Sequence, residues 1–199
     1  MFWFKRKKSN CLIKTWVVYD RIFFFFCGIL GGGLKKIKVV SGFDVELEII
    51  SKIIYPTLCF FNNHSLCLFS TVIDIICYDV PNRVHRFSLV YNILSLKLNF
   101  RLRVISKLQE TYGQVISLIS IYKSVGWSER EIFDFYGVFF FENPDLRRIL
   151  TDYGFKGFPL RKDFPLTGYN DIYYNDNNKK ITYKILELSQ EYRRFNFNK

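Results

Sequence analysis

Two carboxylates, Glu131 and Asp134, are three residues apart, a spacing that places them on one face of a helix. Such a pair can perform acid–base catalysis when burial separates the two pKa values. Arg130, Arg147 and Arg148 are near in the sequence and are available to neutralise both carboxylates. The pattern therefore predicts a salt-bridge network, and a hydrolase that uses this carboxylate pair is the alternative.

The histidines offer little for nucleophilic catalysis. Acyl transfer requires a nucleophile, a base and a group that orients the base. The chain has two histidines, and His64 follows two asparagines in a predicted turn whereas His85 falls in a predicted strand. Neither belongs to a nucleophile motif, so we predict that the chain has no catalytic centre.

The cysteines do not form a recognisable metal site. There are five, none in a C-x-x-C pair, and the odd number argues against a complete disulfide framework. Cys59, His64, Cys67 and Cys77 could be drawn as one set of ligands, but their spacing fits no zinc or iron–sulfur pattern. We expect reduced, mostly buried thiols and no bound metal.

Residues 127–166 must position the charges, and the first part of this stretch reads as a short helix. Ser128 as N-cap and Glu131 three residues later form a capping box, with Trp127 and Ile132 as a hydrophobic staple. Gly137 supplies the left-handed residue that closes the helix.

A second short helix is predicted from Asn143-Pro144, an N-cap followed by proline at the first helical position, and it stops near Gly154. Pro159 and Pro165 then exclude a long regular element. Such a segment cannot pair its own backbone groups, so it must run over the surface of this chain or of a partner.

Strand patterns dominate the middle of the chain. Residues 41–54 have apolar positions at helical spacing and predict an amphipathic helix, whereas segments 66–78, 84–93, 98–105 and 115–122 predict strands. Residues 98, 100, 102 and 104 are apolar, with Arg101 and Arg103 between them. Residues 170–180 predict a loop or hairpin, and 181–188 a strand or tail. The fold class is α+β, a mainly antiparallel sheet with flanking helices and an extended C-terminal segment.

We divide the chain into an N-terminal basic and hydrophobic extension (1–40), an α+β core domain (41–126), and short helices with an extended tail (127–199). The apolar run from Ile22 to Leu34 is shorter than the roughly 20 residues of a membrane-spanning helix, and charges flank it. We expect the extension to dock on a neighbouring protein or on a membrane surface.

The formal net charge of +11 favours an anionic partner, which could be nucleic acid, a lipid surface or an acidic protein. The basic residues are spread along the chain and form no single stripe. The chain lacks alanine and is rich in Phe, Ile, Tyr, Asn and Lys, which indicates an A/T-biased gene of the kind found in organelles. An organellar RNA-binding or ribosomal protein is the alternative function, although we predict no nucleic-acid partner.

Three stretches carry a resemblance to a known family. They are EREIFDFYGVFFFENPDLRRILTDYGFKGFPLRKDFPL (129–166), RFSLVYNILSLKLNFRLR (86–103) and ELSQEYRRFNF (187–197). Together they span residues 72–197, and they resemble the 30 kDa subunit of respiratory complex I, also called NADH dehydrogenase subunit nine.

The resemblance implies a non-redox core scaffold subunit of the proton-translocating NADH:ubiquinone oxidoreductase. It implies no cofactor on this chain, since the FMN and the iron–sulfur clusters of the complex lie on other subunits. The implied partners are other matrix-arm subunits, chiefly the quinone-site subunit and the iron–sulfur subunits beside it. The implied location is the matrix side of the mitochondrial inner membrane, without a transmembrane span, and the implied gene is mitochondrial.

The resemblance also implies a set of subunit-interface residues and no catalytic, cofactor-binding or metal-binding residue. The sequence departs from the family at Glu142-Asn143, where Gly-His is usual, at Phe158, which replaces His, and at Tyr173, which replaces Arg. The implied interface residues are Glu129, Arg130, Glu131, Asp134, Gly137, Pro144, Asp145, Leu146, Arg147, Arg148, Leu150, Pro159, Arg161, Lys162, Asp163, Pro165, Gln190, Arg193 and Phe195.

Overall fold

A five-stranded sheet with strand order β1-β2-β5-β4-β3 lies at the centre of the fold. The computed structural model describes residues 28, 31–41, 44–109, 114–190, 192, 193 and 195. The strands β3, β4 and β5 form an antiparallel meander, whereas β2 pairs with β5 in parallel and with β1 in antiparallel orientation. The five strands are β1 (Leu34–Ser41), β2 (Asp44–Ile49), β3 (Thr71–Asp79), β4 (Phe87–Ser95) and β5 (Phe100–Leu108).

Two helices and four further strands complete the described part of the chain and confirm the α+β class. The parallel pair β6–β7 follows the sheet, and the antiparallel hairpin β8–β9 comes last. Their bounds are α1 (Ile54–Asn63), β6 (Gln114–Ile116), α2 (Val125–Tyr136), β7 (Phe139–Phe141), β8 (Asn170–Asn175) and β9 (Lys180–Ile185), with short 3-10 helices at Gly31–Gly33 and Ser51–Ile53.

One hydrophobic core forms between the helices and one face of the sheet. Along β5, Leu102 and Val104 are buried whereas Arg101 is exposed, as the alternation in the sequence predicted. Phe61 of α1 and Ile132 of α2 belong to the same buried cluster. Each fully buried side chain of this kind stabilises the fold by about 1.5–3 kcal/mol. Burial of these side chains therefore holds the two helices against the sheet.

The predicted helix at 41–54 is wrong, because strand β2 lies in the middle of this range and α1 begins only at its last residue, Ile54. Val45, Leu47 and Ile49 are buried in alternation, with half-buried residues between them. This period of two belongs to a strand. The helical spacing that we noted combined the end of the strand with Ile54, the first residue of α1.

The predicted start of α2 is also wrong. The helix begins at Val125, so Ser128 lies inside it and cannot form the capping box. Trp127 is 68% exposed and does not act as a hydrophobic staple. The burial of Val125, Glu129 and Ile132 at i, i+4 and i+7 explains why the helix begins earlier.

Three of the predicted strands correspond to β3, β4 and β5, with boundaries shifted toward the C-terminus. The strand predicted at 115–122 is confirmed only as β6, because the chain turns after Ile116. The polar stretch at 170–180 is confirmed as part of a hairpin, and residues 180–185 return as β9.

The predicted division of the chain cuts through two elements. β1 begins at Leu34 and crosses the boundary between residues 40 and 41, and α2 crosses the boundary between residues 126 and 127. Residues 1–27 of the predicted extension lie outside the described residues. In the described part of the chain, neither helix has the length and apolar character that a membrane span requires.

Candidate interface segment

Residues 142–169 contain neither helix nor strand, and we call them the strap. The second helix that we predicted from Asn143-Pro144 is therefore wrong. The Asn143 side-chain oxygen accepts a hydrogen bond from Asp145 N at 3.0 Å, which closes a local turn. Since the strap lacks a regular backbone pattern, its course must be fixed by contacts with the rest of the chain.

Glu129 on α2 holds the start of the strap. Its carboxylate is fully buried and accepts hydrogen bonds from Ser117 Oγ at 2.6 Å, Leu118 N at 2.8 Å and Asn143 Nδ2 at 2.8 Å. Burial raises the pKa of Glu129, and these hydrogen bonds oppose the shift only in part. One carboxylate thus joins α2, the turn after β6 and the strap.

Asp134, five residues further along α2, holds the middle of the strap. It is fully buried and accepts hydrogen bonds from the backbone N–H groups of residues 149–151 at 3.3, 2.9 and 2.9 Å. The Thr151 hydroxyl donates at 2.6 Å and Arg148 at 3.3 Å. Burial pushes the pKa of Asp134 upward, but the hydrogen bonds from residues 149–151 outweigh it and hold the pKa below its ordinary value.

The strap then satisfies the carbonyl groups that the end of α2 leaves free. Leu160 N donates to Phe135 O at 3.2 Å, and Arg161 Nε donates to Tyr136 O at 2.6 Å. Gly137 closes the helix with a φ of 72°, as predicted, and a Cβ at this position would lie 2.6 Å from the Phe158 ring. A glycine here therefore allows the strap to reach the helix end.

A buried ion pair ties the last part of the strap to β3. Arg86 donates to both carboxylate oxygens of Asp79, at 2.8 and 3.0 Å, and lies 3.0 Å from Asp163. Lys162 N donates to Asp79 at 2.9 Å. Burial would raise the pKa of Asp79, but the hydrogen bonds from Arg86 and Lys162 outweigh it and lower the pKa.

Three arginines and three phenylalanines stack alternately, and we call this set the arginine–phenylalanine ladder. Each guanidinium lies within the roughly 6 Å of a ring centre at which a cation and a ring attract each other. The successive distances are 5.3, 5.2, 4.5, 5.1 and 5.9 Å in the order Arg86, Phe87, Arg161, Phe158, Arg148 and Phe155. The ladder crosses from β4 to the strap and joins two parts of the strap to each other.

The outer side of this region carries exposed polar groups. The Arg147 side chain is 72% exposed and pairs with Asp145 at 3.2 Å. Arg130 lies 5.2 Å from the exposed Trp127 ring and donates to Arg147 O at 3.2 Å. Exposed Trp and Arg side chains are enriched at protein–protein interfaces, so this side of the strap has a suitable composition for binding a protein.

The hairpin β8–β9 exposes an apolar face. Ile172 lies opposite Tyr183, and Tyr174 lies opposite Ile181, on the same side of the hairpin as Ile185. All five side chains are exposed. A two-stranded hairpin is marginally stable alone in water, and a contiguous exposed apolar face marks an interaction surface.

The structure separates the predicted interface residues by burial. Glu129 and Asp134 are fully buried and make their hydrogen bonds within this chain, so they act on any interface only through the strap. The half-buried residues are Arg130, Gly137, Leu146, Arg148, Pro159, Arg161 and Pro165. The exposed residues are Glu131, Pro144, Asp145, Arg147, Leu150, Lys162, Asp163, Gln190, Arg193 and Phe195.

The two carboxylates considered for acid–base chemistry have different surroundings. Glu131 is exposed whereas Asp134 is buried, so the predicted carboxylate pair does not form. His64 Nδ1 accepts a hydrogen bond from Leu66 N at 3.2 Å, and His85 lies in a bend before β4 and outside any strand. Throughout the described ranges, no group of three or more His, Cys, Asp or Glu side chains could hold a metal ion.

Sequence reasoning missed Glu129 and the Asp79–Arg86 pair as structural centres. Glu129 could have been found, because its spacing from Val125 and Ile132 places it on the buried face of α2. The sequence also indicates the ion pair, because Asp79 and Arg86 have opposite charges and flank the turn that joins two antiparallel strands.

The sequence matches a family profile described as respiratory-chain NADH dehydrogenase, 30 Kd subunit, over residues 47–170. An NADH-quinone oxidoreductase subunit of Parvibaculum lavamentivorans is 47% identical over 163 residues, which cover 79% of this chain and 81% of that protein. NADH dehydrogenase (ubiquinone) iron-sulfur protein 3 of Beta trigyna is 46% identical over 164 residues, covering 82% and 83% of the two chains. The mitochondrial protein of that name from Candida albicans is 45% identical over 152 residues, covering 76% and 54%.

Solved structures share the fold. A trypsin-resistant fragment of Nqo5 superposes with a TM-score of 0.55 at 20% identity, covering 64% of this chain and 98% of the fragment. A chain of the membrane-bound sulfane sulfur reductase, an archaeal respiratory membrane complex, superposes with a TM-score of 0.64 at 22% identity, covering 75% and 86%.

Proposed function

This chain belongs to the family of the 30 kDa subunit of respiratory-chain NADH dehydrogenase, and we propose that it is a non-redox scaffold subunit of NADH:ubiquinone oxidoreductase, respiratory complex I. In this role the strap and the hairpin β8–β9 bind neighbouring matrix-arm subunits, chiefly the one that forms the quinone site. Electrons pass from NADH to ubiquinone through FMN and iron–sulfur clusters on other subunits. The protein acts on the matrix side of the mitochondrial inner membrane, and its gene is mitochondrial.

The observation that supports a scaffold role is the difference between the inner side and the outer side of the strap. Its inner side is held by buried carboxylates that are hydrogen-bonded to the chain itself, whereas its outer side carries exposed charged and apolar groups. A segment that is fixed from inside presents those outer groups in one arrangement, and preorganisation of this kind reduces the entropy lost on binding.

The exposed apolar face of the hairpin supports the same role. Five large side chains of one face stay accessible to water, although burying each would be favourable. In the described part of the chain, one side-chain hydrogen bond joins the hairpin to the strap, from Tyr183 Oη to Tyr153 O at 3.0 Å. The apolar face of the hairpin can therefore become buried when a partner subunit binds against it.

The experiment that tests the proposal is purification of the enzyme from cells that express a tagged full-length chain. We expect the chain to co-migrate with NADH dehydrogenase activity in a large membrane complex. Migration with ribosomes would reject the scaffold role and favour the organellar RNA-binding alternative.

A pair of double variants sharpens this test. Ile181→Thr with Ile185→Thr changes the apolar face of the hairpin, whereas Tyr173→Thr with Lys180→Thr changes the opposite face. We expect the first double variant to reduce incorporation into the complex at least about tenfold relative to the second, because it removes apolar contact area. Equal incorporation of both would contradict a docking role for that face.

A further inference from the structure

Phe158 occupies a central position in the arginine–phenylalanine ladder. Its ring lies 4.5 Å from the Arg161 guanidinium and 5.1 Å from the Arg148 guanidinium. These arginines belong to different parts of the strap. We propose that Phe158 is a positioning residue that fixes the exposed outer surface of the strap for binding a partner subunit, an inference that rests on the proposed function.

Both arginines are held at their edges as well as at their faces. Arg161 Nε donates to Tyr136 O at 2.6 Å, and Arg148 donates to Asp134 at 3.3 Å and to Gly157 O at 3.0 Å. A guanidinium group is planar, so its edge can donate hydrogen bonds while its faces stack on rings. The ring of Phe158 therefore links two side chains whose polar ends are already fixed by α2 and by the strap backbone.

The ring of Phe158 also packs against the end of α2, which supports its role in fixing the course of the strap. A Cβ at Gly137 would lie 2.6 Å from the Phe158 ring and 2.7 Å from Arg161, so the strap passes close to the end of α2. The adjoining exposed side chains include Leu160, Lys162 and Leu166. The stacking of Phe158 between Arg148 and Arg161 fixes the positions of these side chains relative to the earlier part of the strap.

Phe158 is distinct from the residues that form the hydrophobic core. It is half-buried, and it is absent from the core cluster that joins the sheet to the two helices. Loss of the ring should therefore loosen the strap while the core stays folded, which is the behaviour of a positioning residue. A merely structural role in the core would instead lower the stability of the whole chain.

The first measurement is amide hydrogen exchange in the purified full-length chain. The informative amides are those of Leu160, Arg161 and Lys162, which donate to Phe135 O, Phe158 O and Asp79. We expect Phe158→Leu to speed their exchange about tenfold or more, with slow exchange preserved in β4 and β5. Phe158→Tyr keeps the ring and should restore slow exchange, and Phe139→Leu, which removes an exposed ring outside the ladder, should leave it unchanged.

The second measurement is incorporation of the same variants into the enzyme at matched levels of soluble chain. We expect Phe158→Leu to be incorporated at least about tenfold less than the wild type, and Phe158→Tyr to be incorporated normally. Unchanged exchange at residues 160–162, or normal incorporation of Phe158→Leu, would overturn the positioning role. Absence of the wild-type chain from the enzyme would overturn the proposed function itself.

Discussion

Arg147 and Arg148 are adjacent in the chain, but their side chains have different surroundings. Arg147 is 72% exposed and pairs with the exposed Asp145, and such pairs contribute roughly 0–1 kcal/mol. Arg148 is 27% exposed, donates to the buried Asp134 and contacts two rings of the ladder. Both arginines are among the predicted interface residues, but Arg148 supports the strap from inside whereas Arg147 faces outward.

This difference gives a matched pair of variants. We expect Arg148→Ala to lower the free energy of unfolding by about 2–3 kcal/mol, because it removes hydrogen bonds of a charged group together with its ring contacts. Arg147→Ala should change it by less than about 0.5 kcal/mol. Urea unfolding of the full-length chain measures both, and similar losses in the two variants would contradict this assignment.

The buried carboxylates of α2 should affect stability with opposite dependence on pH. The pKa of Asp134 is below its ordinary value of 3.8, so its stabilisation is present above that pH and is lost as pH falls toward the folded-state pKa. The pKa of Glu129 is above its ordinary value of 4.5, so the folded state retains its proton more strongly than the unfolded state. Stability therefore falls as pH rises from 4.5 toward that raised pKa.

Two variants separate these effects. Asp134→Asn should flatten the acid side of the plot of unfolding free energy against pH, and Glu129→Gln should remove the decline above about pH 4.5. Each titration changes the slope by up to about 1.4 kcal/mol per pH unit. Urea unfolding across pH 3–8 measures the slopes, and a Glu129→Gln curve parallel to the wild type would show that the pKa of Glu129 is not raised.

Sequence reasoning at the scale of residues found the charges but misjudged where several of them lie. Glu131 was predicted to share a helix face with Asp134, yet Glu131 is exposed and Glu129 is buried. The misplaced helix start hid the buried face that Val125 begins. The structure also explains why glycine is usual in the family at position 142. Glu142 has a φ of 64°, the left-handed conformation for which glycine is favoured.

At the scale of elements, the junction between α2 and the strap depends on glycine. Gly137 and Gly154 have nearly the same φ, 72° and 74°, but different surroundings. A Cβ at Gly137 would lie 2.6 Å from the Phe158 ring, whereas the nearest atom at Gly154 would be Tyr183 Oη at 4.0 Å. A side chain at Gly154 would therefore meet backbone strain alone, whereas one at Gly137 would meet the same strain and also steric crowding.

Alanine at each position tests this distinction. Gly154→Ala should lower the free energy of unfolding by about 1 kcal/mol, the effect of a left-handed backbone on a residue with a Cβ. Gly137→Ala should lower it by a further 1–3 kcal/mol or so, because the ladder must shift. Equal losses in thermal or urea unfolding would indicate that the ring of Phe158 moves aside freely.

The sequence predicts regular elements much better than the strap. β3, β4 and β5 follow from apolar patterns that local sequence carries, and the left-handed end of α2 follows from Gly137. The course of the strap depends on Asp134 and Asp79, which act over 17 and 83 residues of sequence separation. Such contacts leave no periodic signal, so Asn143-Pro144 was interpreted as a helix start.

At the scale of the whole molecule, the open face of the sheet neutralises much of its own charge. Glu46 lies 2.6 Å from Arg103 and 3.8 Å from Lys38, and Glu48 lies 2.7 Å from Lys107. The net charge is unevenly spread along the chain, since nine of the 29 Lys and Arg residues and one of the 18 acidic residues occur in positions 1–40. Among the described side chains of this face, acidic and basic groups therefore alternate and do not form a basic stripe for nucleic acid.

The buried thiols lead to a prediction for the intact chain. Burial raises the pKa of Cys67 to about 11 and, with a smaller contribution from Asp79, that of Cys77 to about 12. Both thiols stay protonated at neutral pH and make poor nucleophiles and metal ligands. We expect iodoacetamide to modify them only after unfolding, as measured by mass spectrometry.

Metal analysis of the purified full-length chain provides a second readout. We expect less than about 0.1 equivalent of iron or zinc, because thiol ligands must be deprotonated before they bind a metal. One equivalent of either metal, or rapid alkylation of Cys67 and Cys77 in the native chain, would contradict this view of the cysteines.

The parallel pairing of β2 with β5 has a consequence for synthesis on the ribosome. The partners on these strands are 57 residues apart, so the N-terminal hairpin β1–β2 is synthesised before its neighbour β5 exists. Within the meander, β4 pairs with β3 and β5 over short separations, so these three strands can pair as soon as they are made. Folding should therefore begin with the meander in the middle of the nascent chain. The hairpin β1–β2, although it is made first, should join the sheet only after β5 has formed.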